Sequence, residues 1–587
     1  MSWLVVAPIL IPMGGAALCA LAWGHHNTQR ALAMLTGLGL LASSVLLIMA
    51  VLAQGTLVTA VGDWPAPYGI SFVADTFGAI MVLLNGIIGF ATLIYSLGGM
   101  DTPRKKNGFY PLTLALLASC SGAFLSADLF NIYVWFEIML MSSFVLLTLG
   151  GERGQLEGAI KYVTLNLLSS SIFLSAVGLL YGLVGTLNLA DIAVKLHTVD
   201  SPVLVTTIAM LFLVAFGIKA AVFPFFGWLP ASYHTPPAAV SALFAGLLTK
   251  VGVYTMFRVF SLMFTQELEL MGNILLVIAG LTMVTGVLGA AAQFEIRRVL
   301  SFHIVSQIGY MIMGPGIAFT ALGAAEKLPA GSAEREALTA AAALAMTGAI
   351  FYILHHIIVK TNLFFVAGII QHMRGTNELK YLGGLYKNHP ALALGFMTPA
   401  MSLAGIPILS GFWAKLVLIK AGVDAESWWI VFTALVVSVL TLFSMTKIWT
   451  EAFWKADPGK LRGSPERPEM TNQRKREIGV MSSAVVLLAL ITLTIGFMAG
   501  PAYRLAERAA GEVLDRAGYV RSILGDDYLN ERIMPEGIST LQDAMPIGSG
   551  RDLVVVTPEP APRQADTVVE TTAVDDAARD LAVEGQR

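Results

Sequence analysis

Ionisable side chains stand inside several long apolar runs. Glu137 interrupts NIYVWFEIMLMSSFVLL, Lys219 interrupts LFLVAFGIKAAVFPFFGWLP, and Lys250 interrupts SALFAGLLTKVGVYTMFR. His303 lies in SFHIVSQIGY, His356 and Lys360 in FYILHHIIVKTNLFF, and Lys415 in GIPILSGFWAKLVLIK. A charge at the centre of a bilayer costs roughly 2.5–3.5 kcal/mol even on a lenient scale, so such groups persist where they are paired or line a wet cavity. Desolvation disfavours the charged form of an amine, and a neighbouring carboxylate restores it. Glu137 beside Lys219 would therefore hold that lysine charged, and parting the two would release a proton towards Lys250. Imidazole titrates near neutrality and relays in either direction. Amines and imidazoles in series at mid-membrane depth are what proton conduction through hydrocarbon requires.

Their spacing sorts them onto helix faces. His303, Gln307 and Tyr310 follow i, i+4, i+7, while Tyr352, His356 and Lys360 follow i, i+4, i+8. Lys250 and Tyr254 share a third face. Such stripes must face each other or water. His355 points about 100° away from His356, so one of the two reads as structural. His234, in YHTPPAAV, reads either as a point of proton uptake or as a plain loop histidine. Arg258, Lys420 and Lys447 fall near the ends of apolar runs, where snorkelling to the interface is the expectation.

The chain that must position these groups has 587 residues, 56% hydrophobic and 13% charged, about half the charge of a soluble domain. That balance excludes a water-soluble enzyme, and with a net charge of −2 and no basic face it excludes a nucleic-acid binder. Cys19 and Cys120 both lie in apolar runs, so no disulfide framework is expected. Apolar stretches of membrane-crossing length fall at 3–23, 31–53, 72–98, 109–126, 129–149, 162–186, 204–226, 237–262, 272–293, 299–320, 336–371, 390–420, 428–453 and 478–500. They predict an all-α polytopic membrane protein of about 14 spans, and are too long for the strands of a barrel. The start is apolar from Trp3 onward without a basic region before it, and reads as span 1.

Eighteen basic residues fall in the odd-numbered loops and three in the even ones. The positive-inside bias places the odd loops in the cytoplasm and both termini outside. Pro224 lies five residues after Lys219, and Pro407 eight before Lys415 with Gly405 and Gly411 beside it, predicting discontinuous spans 7 and 12. Spans 7 and 12 are five apart, as are 5 and 10, so spans 4–8 and 9–13 read as an inverted five-helix repeat, the arrangement of a transporter site. The expected parts are 1–108 with three spans, repeat units at 109–262 and 272–455, span 14 at 478–500, and a tail at 501–587. The tail carries a net charge of −7. Residues 501–545 read as an amphipathic surface segment and the rest as disordered, a solvated tail more than a docking arm. No phosphate-binding loop, dinucleotide turn or metal-spaced His/Cys cluster occurs, so no cofactor is expected and no sodium site can be located.

At residues 70–455 the sequence resembles the antiporter-like membrane subunits shared by Mrp-type cation (Na+)/proton antiporters and the proton-pumping arm of respiratory complex I. The resemblance rests on WFEIMLMSSF, GIKAAVFPFFGWLPASYHTPPAAVSALFAGLLTKVG, RRVLSFHIVSQIGYM, HHIIVKTNLFFVAG and GIPILSGFWAKL. It implies 14 helices with the inverted repeat, Glu137 and Lys219 as a coupling ion pair, Lys250 as central relay and Lys415 as the terminal group opening outward. It also implies work beside other membrane subunits of a hetero-oligomeric antiporter complex in a bacterial cell membrane, with protons and monovalent cations as cargo. A proton-pumping subunit of an NADH–quinone oxidoreductase or a membrane-bound hydrogenase is the alternative. A non-conducting scaffold gives no reason for a chain of buried lysines.

Overall fold

The computed structural model describes residues 3–459 and 465–533. Among these residues, twelve helices are long and apolar enough to cross a bilayer, and the shorter apolar helices Phe109–Leu125 and Pro390–Ala404 stand at the fourth and twelfth predicted positions. Every predicted span thus carries helix, and the chain is an all-α multi-pass membrane protein. The spans that matter below are 2 (His26–Gln54), 3 (Thr76–Gly99), 4 (Phe109–Leu125), 5 (Leu129–Thr148), 6 (Arg153–Val184), 9 (Leu268–Ala291), 10 (Ile296–Ala325), 11 (Ala333–Arg374), 13 (Trp428–Ile448) and 14 (Asn472–Phe497).

The apolar run read as one span from residue 72 starts differently. Strands β1 (Leu57–Ala60) and β2 (Ser71–Ala74) pair antiparallel, Leu57 opposite Ala74 and Ala60 opposite Ser71. Asp75 then opens span 3, its carboxylate accepting from the Gly78 amide at 2.8 Å.

Three of the described spans are interrupted. Span 7 runs Pro202–Ala220, stops at Ala221 in the left-handed region (φ 60°), and resumes as the short helix Trp228–Ser232. The Trp228 indole donates to the Ile218 carbonyl at 3.0 Å, answering an acceptor at the span's open end. Span 12 divides into Pro390–Ala404 and Ser410–Asp424 around Gly405 (φ 91°). Span 8 divides at Leu247 into Ala238–Gly246 and Leu248–Leu262, a break that no proline announces. Span 11, by contrast, is one unbroken helix of 42 residues, roughly 63 Å long and about twice the hydrocarbon thickness. It packs against spans 3, 8, 10, 12 and 14 and so carries its buried polar stripe through the middle of the molecule.

The chain past span 14 folds back on itself. In helix Ala499–Leu514, Ala506, Ala509, Ala510 and Val513 are buried. Arg508 donates to the Val51 and Leu52 carbonyls at 3.0 Å, closing the end of span 2. The Glu512 carboxylate accepts from the Thr76 amide at 2.6 Å and its hydroxyl at 2.7 Å, capping span 3. Arg516 is buried, donates to the Leu262 carbonyl at 3.0 Å and meets His197 Nε2 at 2.6 Å. Residues 499–526 are therefore a strap docked on the chain's own helix ends: its first helix is amphipathic as expected, and what is corrected is the reading of a solvated tail there. Its buried face is mostly alanine, a weak apolar signal by composition. The expected disorder beyond residue 533 lies outside the described residues.

Arg516→Ala should leave the Leu262 carbonyl bare. Charge-assisted bonds of this kind contribute roughly 1.5–3 kcal/mol, so the solubilised protein should melt several degrees lower. An unchanged melting temperature would show that the strap does not hold the helix ends.

Candidate functional site

Lys219 sits at the open end of span 7 and is 4% exposed. Its ammonium donates to Ser170 Oγ of span 6 at 3.2 Å and lies 5.7 Å from the Phe136 ring centre. Glu137, the next residue on span 5, is half-buried and within charge–charge range of Lys219. Among the described residues it forms no ion pair, and its Oε1 accepts no hydrogen bond. The two charges are neighbours, but the direct contact expected of a coupling pair is taken by Ser170.

Lys250 is fully buried and donates to the Ala245 carbonyl, just ahead of the interruption at Leu247. From there the side chains follow one another across spans 8, 11, 10 and 12. Lys360 lies within charge range of Lys250 and donates to the Leu300 carbonyl at 3.5 Å. His356 is within range of Lys250, Lys360 and His303, and His303 within range of Lys360 and Lys415. Both rings are fully buried, and no nitrogen of either finds a partner among the described residues. Lys415 ends the series: it donates to the Ala404 carbonyl at 3.2 Å and to Ser438 Oγ at 3.0 Å, 4.8 Å from the centre of the Tyr310 ring.

The two predicted stripes meet. Tyr352 donates to Gln307 Oε1 and stacks on Tyr310 with centroids 5.2 Å apart. Of the adjacent pair, His355 is the one with a hydrogen bond, while also lying within charge range of Lys360 and Lys415. Its Nδ1 bonds Ser410 Oγ at 2.8 Å, and Ser410 bonds Ser402 at 2.9 Å across the span 12 break. Gly411 sits in this knot, where a Cβ would overlap the Ser402 carbonyl oxygen. The helices of Lys219 and Lys250 touch through backbone, Gly252 lying against the main chain of Lys219.

Arg258 corrects an expectation. It does not snorkel to the interface: it is 5% exposed and ion-paired with Asp75, 183 residues earlier. It also donates to Tyr254 Oη at 3.2 Å, and Tyr254 donates to the Phe124 carbonyl at 2.7 Å. The Tyr519 ring of the strap covers it, 4.9 Å from the guanidinium. Lys250, Tyr254 and Arg258 thus form one column on a face of span 8, closed by Asp75 and the strap. The sequence hid this site because its parts come from three distant segments, each near a helix end.

At the ends of the helices joined by basic loops, a polar cavity of about 380 Å³ is lined by Arg104, Glu152, Arg297, His372 and Arg474, with Tyr95, Ala238 and Gly368 also in its wall. His234 stands near its rim: Nδ1 meets the Pro230 carbonyl at 2.8 Å, and Nε2 accepts from Arg298 Nε at 3.3 Å. Burial and then the Arg298 charge push its pKa down to about 4, so the ring is neutral at physiological pH.

Two outcomes follow for these groups. Arg258→Ala leaves a buried carboxylate without its partner, a loss of roughly 3–5 kcal/mol. Adding Asp75→Asn should recover much of the melting temperature, and equal melting of single and double variants would refute the pairing. Because the folded pKa of His234 lies below its free value, protonating it opposes the fold, and that cost is felt only as pH falls from about 6.5 towards 4. His234→Gln should leave the pH–activity profile around neutrality unmoved, whereas a shifted profile would make His234 a proton carrier.

The model of the family described as "NADH:quinone oxidoreductase/Mrp antiporter, TM" matches residues 126–326 and 337–441, which include every relay candidate named above. A Na(+)/H(+) antiporter subunit of Alkalihalophilus pseudofirmus is 42% identical over 524 residues, 89% of this chain and all of that one. The protein of the same name from Bacillus subtilis is 34% identical, covering 89% of this chain and 99% of that one. Among solved structures, a chain of the Mrp complex from Dietzia sp. superposes with a TM-score of 0.76 at 30% identity, covering 89% of this chain and all of that one. A chain of respiratory complex I from Thermus thermophilus shares the fold at a TM-score of 0.70 and 22% identity, covering 87% and 99%. With its spans, its interrupted helices and these relatives together, the chain belongs to the NADH:quinone oxidoreductase/Mrp antiporter family of membrane subunits.

Proposed function

We propose that this chain is the proton-translocating subunit of a multi-subunit Na+/H+ antiporter, working beside other membrane subunits in the bacterial cell membrane with both termini outside. The observation that carries the reading is the series of fully buried amines and imidazoles, Lys250, Lys360, His356, His303 and Lys415, each within charge range of the next. Relatives named for sodium/proton antiport favour it over the oxidoreductase alternative, and support a transporter subunit over an enzyme.

In this reading the polar cavity is the cytoplasmic water. Its wall at Gly368 and Ala238 lies two turns of span 11 from Thr361, which bonds the Ala242 carbonyl of span 8 beside Lys250 and Lys360. A proton reaching these lysines raises the field on its neighbours, since like charges at close range in a poor dielectric repel strongly. The unbonded imidazoles of His356 and His303 then accept and pass it, and Lys415 delivers it outward at the span 12 break. Glu137 acts by distance: near Lys219 it holds that charge in place, and drawing away frees it to push on the central lysines. Residues 109–262 and 272–455 are the two five-span units, each with its lysine beside a broken helix, at Lys219 and Lys415. His234, held neutral by burial and then by Arg298, stays outside the path.

In everted vesicles containing the whole complex, Lys219→Ala or Lys250→Ala should abolish sodium-dependent dissipation of ΔpH, with the protein still present at its normal level. Retained exchange in both variants would defeat the relay.

A further inference from the structure

Spans 3, 8 and 11 close the polar cavity off from the lysines at one place. Ala238 and Gly368 meet in the cavity wall, and a Cβ at Gly368 would overlap both the Ala238 methyl and the Tyr95 hydroxyl of span 3. One level deeper, Thr361 bonds the Ala242 carbonyl. Thr361 also lies against Gly246, where Ile88 of span 3 arrives as well. On each helix the two levels share a face: Gly368 and Thr361 on span 11 and Ala238 and Ala245 on span 8 are seven residues apart, as are Tyr95 and Ile88 on span 3. Phe365 falls between the levels on span 11, and Tyr95 is the side chain that meets it.

This pair makes a closed layer. The two rings are fully buried and stack with centroids 4.2 Å apart and planes 9° from parallel. Tyr95 Oη donates to the Phe365 carbonyl at 3.0 Å. The surroundings of the tyrosine are fixed. Phe365 belongs to the unbroken rod of span 11. Span 8 is pinned at its start, where Arg297 donates to the Pro236 carbonyl at 2.7 Å. Span 3 is packed so closely on span 14 that a Cβ at Gly98 would overlap the main chain of Glu477. The tyrosine side chain, in contrast, borders a cavity of about 380 Å³ into which its ring can turn.

Turning it strands no polar group. The Phe365 carbonyl lies inside regular helix and keeps its helical donor. The phenol exchanges that carbonyl for the polar cavity, within charge range of Arg297. A buried polar group moves at low cost only where both of its positions are answered, and a side chain with two such positions is what a gate requires. We propose that Tyr95 is the gate of proton uptake. Stacked on Phe365 and latched to its carbonyl, it separates the cavity from Lys250 and Lys360. Turned into the cavity, it lets water through to Thr361 and the lysines. The proposal rests on the antiporter reading above and adds the residue that decides when the lysines are reached.

The test uses everted vesicles carrying the whole complex, whose outer face is the cytoplasmic one, and a membrane-impermeant methanethiosulfonate. Thr361→Cys places a thiol just behind the gate. The native Cys19 and Cys120 are buried, and vesicles without the added thiol give the background. Adding Tyr95→Ala removes ring and latch together, and should speed labelling of the added thiol more than about tenfold. Adding Tyr95→Phe keeps the ring and removes only the latch. It should speed labelling about fivefold, the factor that a hydrogen bond of about 1 kcal/mol represents. Tyr95→Phe leaves no hole, so labelling at the parental rate in that variant overturns the proposal, even where the alanine variant labels fast or does not assemble. Lys219→Ala and Lys250→Ala are assayed in parallel for sodium-dependent ΔpH dissipation. If both retain exchange, the antiporter reading itself has failed. If both are inactive while Tyr95→Phe labels at the parental rate, only the gate has failed.

Discussion

The constraint on which this molecule turns is that an amine deep in hydrocarbon must be given an acceptor, and a regular helix has few to spare. Lys250 takes the carbonyl of Ala245 beside an interruption, and Lys415 takes the carbonyl of Ala404 at the last turn before a break. Lys219 stands where span 7 runs out at Ala221 and takes a serine from the neighbouring helix. Interrupted backbone is tolerated in a membrane where it lines a polar interior, and here the interruptions and the lysines occur together. Span 11, unbroken, supplies the rigid rod against which the broken spans are arranged, and its one buried lysine must borrow the Leu300 carbonyl of span 10.

A second consequence of low dielectric is that hydrogen bonding distinguishes one buried histidine from the next. His355 is tied to Ser410 and, through it, to Ser402, so its ring fixes the span 12 break in place. His356, one residue on, has neither nitrogen engaged among the described residues and faces Lys250, Lys360 and His303. Adjacent residues of the same type thus differ in what holds them, because about 100° of helix rotation puts one ring against the span 12 break, although His355 too lies within charge range of Lys360 and Lys415.

Much of this was legible in the sequence. Charges inside apolar runs marked the interior, and periodicities of 3.6 paired Gln307 with Tyr310 and Tyr352 with His356, faces that meet through the Gln307–Tyr352 bond. Prolines and glycines announced the breaks of spans 7 and 12. What periodicity cannot supply is the distance between helices, so the serine standing between expectation and ion pair at Lys219 was invisible. The hairpin was hidden because Phe72–Ala74 continue the apolar run of span 3 without a seam. The Asp75–Arg258 pair joins residues remote in sequence, each near a helix end where an exposed charge is ordinary. The interruption of span 8 at Leu247 carries no residue that breaks helices on its own.

The strap sets an order on the making of the molecule. Its anchors, Glu512 to Thr76, Arg508 to Val51 and Arg516 to Leu262, join the end of the chain to segments made hundreds of residues earlier. A ribosome delivers those segments first, so the termini of spans 2, 3 and 8 wait with bare amides and carbonyls until almost the whole polypeptide has been threaded into the bilayer. Insertion is thereby finished by a clasp, and a chain released too early leaves that side of the bundle unfastened.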